Sequence, residues 1–167
     1  MKYRGPHVTI FTDGSWKGSW RTGGYAALIT DDYGNWRLIG DGSTNTTISR
    51  MELSAAIAGL SCLYDGCDVS IIADSMYVVN IINKWAKLWT KNHFKKTDGK
   101  PVANVDALSL LIHHMNRMSR VRAYHIKSHT GYTDTQSLGN EIVDNFAVQQ
   151  AGLAYGLPLS ALPLQPV

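Results

Sequence analysis

The chain has 167 residues, 44% of them hydrophobic and 17% charged, with a net charge of +3 and no low-complexity tract. That is enough for one domain with a self-sufficient core, and it excludes disordered, collagen-like and disulfide-scaffold classes. No apolar run approaches a membrane span and the first residues lack a signal-peptide core, so the expected address is cytoplasmic with no membrane partner.

In chain order, "HVTIFTDG" alternates and is rich in β-branched residues, which predicts a strand ending at the turn signal Asp13-Gly14. "GGYAALITDDYGNWRLIGDGST" predicts two further strands around the turn "DDYGN", completing an antiparallel meander. "SRMELSAAIAGLSCLY" has helical apolar spacing at 53, 56, 57 and 60, with Ser49 as N-cap and Asp65-Gly66 as the stop. "DVSIIAD" reads as a buried strand and "SMYVVNIINKWAKLWTKN" as a helix that turns basic. After the loop "KKTDGKP" come a helix in "VANVDALSLLIHHMNRM", a strand in "VRAYHIKS", a loop in "HTGYTDTQSLG" and a helix in "NEIVDNFAVQQAGL". The proline-bearing end reads as a peripheral tail, which divides the chain into a domain over 1–152 and a tail over 153–167. Three meander strands followed by helix, strand, two helices, strand and helix predict an α/β domain. Its five-stranded mixed sheet, three antiparallel strands plus two parallel, carries helices on both faces.

The two cysteines, Cys62 and Cys67, have no metal-ligand spacing around them and read as filler. Charge is unevenly spread. Residues 84–100 hold six lysines and one acid, Asp98, so the rest of the chain is slightly acidic. A local basic patch on a near-neutral body suits a polyanion, although a solvated helix face has the same composition.

Four acids sit where chemistry could use them: Asp13 at a strand end, Glu52 in a first helical turn, Asp74 at the end of a buried strand and Asp144 in the last helix. Singly, each has a plainer role, as a turn residue, a dipole-answering acid, an N-cap and a solvated helix acid. Jointly, acids from two strand ends and two helices can converge on one crevice. Divalent metal would resolve their repulsion, and hard oxygen ligands favour Mg²⁺ or Mn²⁺. Two such ions form the clamp used in phosphodiester displacement.

"IFTDGS", "SRMELSAAIAGL", "ADSMYV", "KSHTG" and "GNEIVDNFA", in this order, resemble ribonuclease H type 1 over about residues 8–151. The resemblance implies the ribonuclease H-like fold and a hybrid-specific endonuclease that cuts the RNA strand of RNA–DNA hybrids, leaving 5′-phosphate and 3′-hydroxyl ends. It also implies that Asp13, Glu52, Asp74 and Asp144 hold two Mg²⁺ ions, with Mn²⁺ as a substitute. His129 would then assist proton transfer or product release. Gly14 and Ser15 would lie against the hybrid, Gly14 letting the backbone come close where a side chain would block it. His93, His113 and His114 match nothing in the motifs and read as surface.

The basic run 84–101 resembles the basic protrusion of some members, with Trp85, Lys87, Lys91, Lys95 and Lys96 as candidate hybrid contacts. Trp85 and Trp89 are four apart and share a helix face, where packing against the body is the favoured use for each ring.

The chain also departs from the family pattern. Ser19 stands at an Asn position in "GSWRTGG", Ile48 and Ser49 replace two asparagines, and Met76 replaces a glutamine. Thr47 is retained as a candidate phosphate contact and Asn140 as a contact near the acids. "TDTQS", 133–137, reads as an insertion in the His129 loop, where Asp134 is either a further metal contact or a solvated loop acid. Two other readings stand beside this one: a DNA-acting nuclease of the same fold, and a non-catalytic or weakly active hybrid-binding module. Nothing calls for a protein partner, and a monomer is expected.

Overall fold

The computed structural model describes residues 7–127 and 134–157. Strand β1 (His7–Lys17) lies in the middle of a five-stranded sheet of order β3-β2-β1-β4-β5. It pairs antiparallel with β2 (Thr22–Asp31), which pairs antiparallel with β3 (Trp36–Ser43). On its other side it pairs parallel with β4 (Asp68–Ala73), which pairs parallel with β5 (Arg120–His125). The expected mixed sheet is the one observed.

Alternation along β1 builds two cores. Ile10 joins Leu53 and Leu60 of helix α1 (Ile48–Ser61), together with Ile71 of β4. The next residue, Phe11, points the other way, toward Val143 and Ala147 of helix α5 (Thr135–Tyr155). Helix α5 rests on bare backbone there: a Cβ at Gly24 of β2 would collide with the Ala147 carbonyl. The first core continues beneath a helical run made of α2 (Met76–Asn80), a π-helical turn (Ile81–Trp85) and α3 (Ala86–Lys91), and beneath α4 (Val105–Asn116).

Several sequence-based boundaries move. Strand β1 does not turn at Asp13-Gly14 but runs on to Lys17, with Gly14 paired to Tyr25. Helix α1 is capped by Thr47, not Ser49: Thr47 is extended and its Oγ1 accepts from the Arg50 amide at 3.3 Å. The same helix ends at Ser61, short of Asp65-Gly66, and Arg117 donates to the Leu60 carbonyl in its last turn (2.9 Å) and to the Leu63 carbonyl just beyond it (2.7 Å). Helix α5 begins earlier than expected because Asp134 caps it, accepting from the Ser137 amide at 3.0 Å and the Ser137 hydroxyl at 2.9 Å. Asp134 to Ser137, read as loop insertion, are thus the cap and first turn of a helix. That helix also takes in 153–155, at the start of the expected tail. Thr133 and His129 lie outside the described residues.

Three tertiary ties brace this frame. Arg50 forms a forked pair with Asp106 (3.0 and 2.8 Å) and donates to Asn104 Oδ1 at 3.3 Å, and Asn104 donates to the Tyr77 hydroxyl at 3.3 Å. This joins the start of α1 to α4 and α2. Asn83, in the π turn, grips the outer edge of β5, donating to the Ala123 carbonyl (2.8 Å) and accepting from the Ala123 amide (2.9 Å). Trp20, in the turn after β1, stacks on Tyr155 at the end of α5 with ring centres 4.0 Å apart.

Candidate active site

Four elements converge just beyond the end of β4. The last β1–β4 pairing is Thr12 with Ala73, so the strands part there and Asp13 and Asp74 both follow the final pair. Glu52 arrives from the first turns of α1. Ligand oxygens from Asp13, Glu52 and Asp74 all lie within 4.8 Å of one another. Asp13 is 3% exposed and Glu52 6%, while Asp74 is half-buried. Asp144, on α5, shares a hydrogen bond with Asp13 from the other side.

The electrostatics are those of unneutralised acids. Burial, then the carboxylates of Glu52, Asp74 and Asp144, push Asp13 up to about 10. Burial and Asp74 push Glu52 up to about 8, only partly offset by hydrogen bonding from Gly14 and Asp13. One donor is fixed: the Gly14 amide, 2.9 Å from Asp13 Oδ1. Among the described residues, neither Asp13 nor Glu52 has a lysine or arginine partner. Glu52 Oε2 is buried with no hydrogen-bond partner. A buried acceptor without a donor, inside a cluster of converging carboxylates, fits a divalent cation held by oxygen.

Packing gives Gly14 a role of its own. Its Cβ position faces α1: an added Cβ would stand 2.7 Å from the Glu52 amide nitrogen and 2.9 Å from the Met51 carbonyl carbon. The glycine admits helix α1 and so seats Glu52. Ser15, one step further along β1, is half-buried.

The remaining candidates are spread around this point. Asn140 is one turn before Asp144 on α5, 5% exposed, and its Oδ1 lacks a partner. Thr47 and Ser49 are at the start of α1, and Ser19 is exposed in the turn between β1 and β2. Trp85 and Trp89, both partly buried, pack against the main core with ring centres 5.5 Å apart. Lys87, Lys91, Lys95 and Lys96 are all exposed. Lys87 and Lys91, with Arg122, rim a groove of about 780 Å³ between α3, α4 and β5. His93 and His113 are exposed as expected, but His114 is half-buried and accepts from Arg117 Nε at 3.0 Å.

A family model for RNase H matches residues 5–152. The chain belongs to the ribonuclease H family. It is 41% identical to the ribonuclease H of Pseudomonas fluorescens over 140 residues, covering 84% of this chain and 89% of that one. It is 38% identical to the ribonuclease H of Thermus thermophilus over 145 residues, covering 86% and 83%. Among solved structures, LC9-RNase H1, described as a type 1 RNase H with the type 2 active-site motif, superposes with a TM-score of 0.77 at 22% identity. That match covers 92% of this chain and 76% of the other and supports the fold.

Sequence reasoning passed over Trp16. Its indole Nε1 donates to the Thr46 carbonyl at 3.0 Å, which pins the ring beside the start of α1. Alternation along β1 puts Trp16 on the same face as Gly14, and that phase was readable once the strand was known to continue. Thr12, wholly buried with an unpartnered hydroxyl, was also missed and carries no sequence signal.

Proposed function

We propose that this enzyme hydrolyses the RNA strand of RNA–DNA hybrids with two divalent cations, Mg²⁺ or in its place Mn²⁺, giving 5′-phosphate and 3′-hydroxyl ends. Asp13, Glu52, Asp74 and Asp144 hold the ions, and His129 assists proton transfer or product release. The observation that carries this reading is the unpartnered Glu52 Oε2 inside the convergence of Asp13, Glu52 and Asp74. Bound metal would supply an activated water and charge stabilisation for the departing oxygen.

The chain's own residues do the positioning. Gly14 donates to Asp13 Oδ1 and so orients that carboxylate, and its missing side chain lets α1 bring Glu52 alongside. Burial, with the neighbouring carboxylates, leaves Asp13 and Glu52 holding their protons more tightly than ordinary acids in the metal-free protein. Ser19, Thr47, Ser49 and Asn140 contact the hybrid near the acids. The lysines at 87, 91, 95 and 96 meet phosphates, which set register without reading sequence. Residues 1–152 act as the catalytic domain, with 153–167 peripheral. The protein works as a monomer in the cytoplasm and needs no protein partner. No described helix is long and apolar enough to cross a membrane.

Strand-labelled cleavage of an RNA–DNA hybrid in Mg²⁺, beside single-stranded RNA, duplex RNA and duplex DNA, tests this. Cleavage of hybrid RNA by the unmodified protein, lost on the order of 100- to 1,000-fold in Asp74→Asn, is the expected result. Tight hybrid binding without cleavage in either Mg²⁺ or Mn²⁺ would make the protein a binding module. Cleavage of duplex DNA would make it a DNA nuclease.

A further inference from the structure

The end of the sheet away from the acids carries a second group of reactive side chains. His7 Nε2, at the start of β1, is 2.8 Å from Ser70 Oγ on the neighbouring strand β4. His7 Nδ1 is 3.8 Å from Oδ1 of Asp32, the residue after β2. The first is a hydrogen bond and the second an ion-pair distance. A carboxylate beside Nδ1 favours the ring proton there, which leaves Nε2 to accept from the Ser70 hydroxyl. Ser70 lies four residues before Asp74, roughly 13 Å along the chain of β4, so this group is separate from the acids.

His7 and Ser70 both open on a cavity of about 720 Å³. Phe11, Leu28 and Ile72 form its apolar floor, and Leu138 and Ile142 of α5 form a wall. The hydroxyl thus meets a space large enough for a small organic molecule, with apolar surface beside it.

We infer that Ser70, His7 and Asp32 form an acyl-transfer site that hydrolyses carboxylic esters with an apolar acyl group. Ser70 is the nucleophile and His7 the general base. Asp32 is a positioning residue that holds the ring and stabilises the imidazolium. In the first step Ser70 Oγ bonds to the ester carbonyl carbon and its proton passes to His7 Nε2. The bond to the leaving alcohol then breaks, and that alcohol takes the proton from Nε2. In the second step water gives a proton to His7 and attacks the acyl-serine, which releases the carboxylic acid and restores Ser70. Ester and water become acid and alcohol, with no change of oxidation state. Thr9 on β1 and Arg122 on β5 are the register partners of Ser70 and share its face of the sheet. Both carry donors for the charge that develops on the carbonyl oxygen.

Two measurements in EDTA, where no metal-bound water takes part, test this. The first is mass spectrometry after treatment with an alkyl fluorophosphonate, which reads the unmodified protein and depends on no variant folding. The second is steady-state release of p-nitrophenol from p-nitrophenyl butyrate. The expected result is a single label mapped to Ser70, and a kcat lowered on the order of 100-fold in Ser70→Ala and in His7→Gln. Asp32→Asn should lower kcat about tenfold with KM unchanged, the split expected of a residue acting through the imidazole, and Asp32→Glu should recover part of it. Thermal unfolding confirms that the variants fold. No label, a label on any other residue, or full turnover in folded Ser70→Ala overturns the site.

Discussion

Gly14 and Glu52 are packed backbone against backbone: a Cβ on the glycine would stand 2.7 Å from the Glu52 amide nitrogen. The helix that carries one carboxylate of the acidic cluster is therefore docked on the strand that carries another. Gly14→Ala should push α1 away from β1, cost about 1–3 kcal/mol of stability and lower kcat by at least about tenfold. Thermal unfolding and steady-state cleavage check both effects. Full activity with a weakened hybrid affinity would instead return Gly14 to the substrate surface.

Stability should fall with rising pH when metal is absent. Asp13 and Glu52 titrate near 10 and 8 in the folded protein, well above the ordinary carboxylate value of roughly 4. Across that interval the folded state holds protons that the unfolded chain has released, so raising the pH favours unfolding. A divalent cation takes the place of those protons, and the Tm gain from Mg²⁺ should grow from pH 6 to pH 9. Asp13→Asn should raise the metal-free stability by about 1–2 kcal/mol and flatten its pH dependence. A flat Tm-against-pH profile for the unmodified protein in EDTA would contradict the electrostatics of the cluster.

The lysines should give a salt-dependent signal. If three or four of them meet phosphates, log affinity should fall against log salt with a slope of roughly −2 to −4. Glutamine at 87, 91, 95 and 96 together should flatten that slope and weaken binding at low salt. Titrations of labelled hybrid at several salt concentrations decide it, and an unchanged slope removes these residues from the interface.

Asn83 should matter for stability and little for chemistry. Its carboxamide satisfies both backbone groups of Ala123 on the outer edge of β5, at 2.8 and 2.9 Å. Asn83→Ala should cost about 1–3 kcal/mol by leaving those groups unpaired, with kcat unchanged. Denaturant unfolding beside a cleavage assay separates the two quantities.

Most of the fold was legible because its signals are local. Alternation in "HVTIF" and helical spacing in "MELSAAIAGL" each need only a few neighbours to be read. The acids were legible for a different reason, through the order of their motifs. What escaped depends on contacts between distant segments. The approach of α1 to β1, which explains Gly14, leaves no trace in the residues around Gly14. Thr47 and Ser49 are chemically equal as caps, and only the extended backbone at Thr47 decides between them. "TDTQS" has the short polar side chains of a loop, yet the same Asp134 that suits a loop is also a good helix cap. A π turn shares its composition with an ordinary helix, so the aim of Asn83 at β5 could not be foreseen.

The stack of Trp20 on Tyr155 leaves the first hairpin leaning on the far end of the chain's longest helix. Ser19 sits next to Trp20 at the hairpin tip, so the stiffness of one candidate substrate contact is borrowed from a residue more than a hundred positions away. An engineer who trims α5 inside its last turn, or grafts a cargo directly onto it, removes or strains that prop. The disturbance would surface at the tip of the hairpin, while the carboxylates stayed where they are.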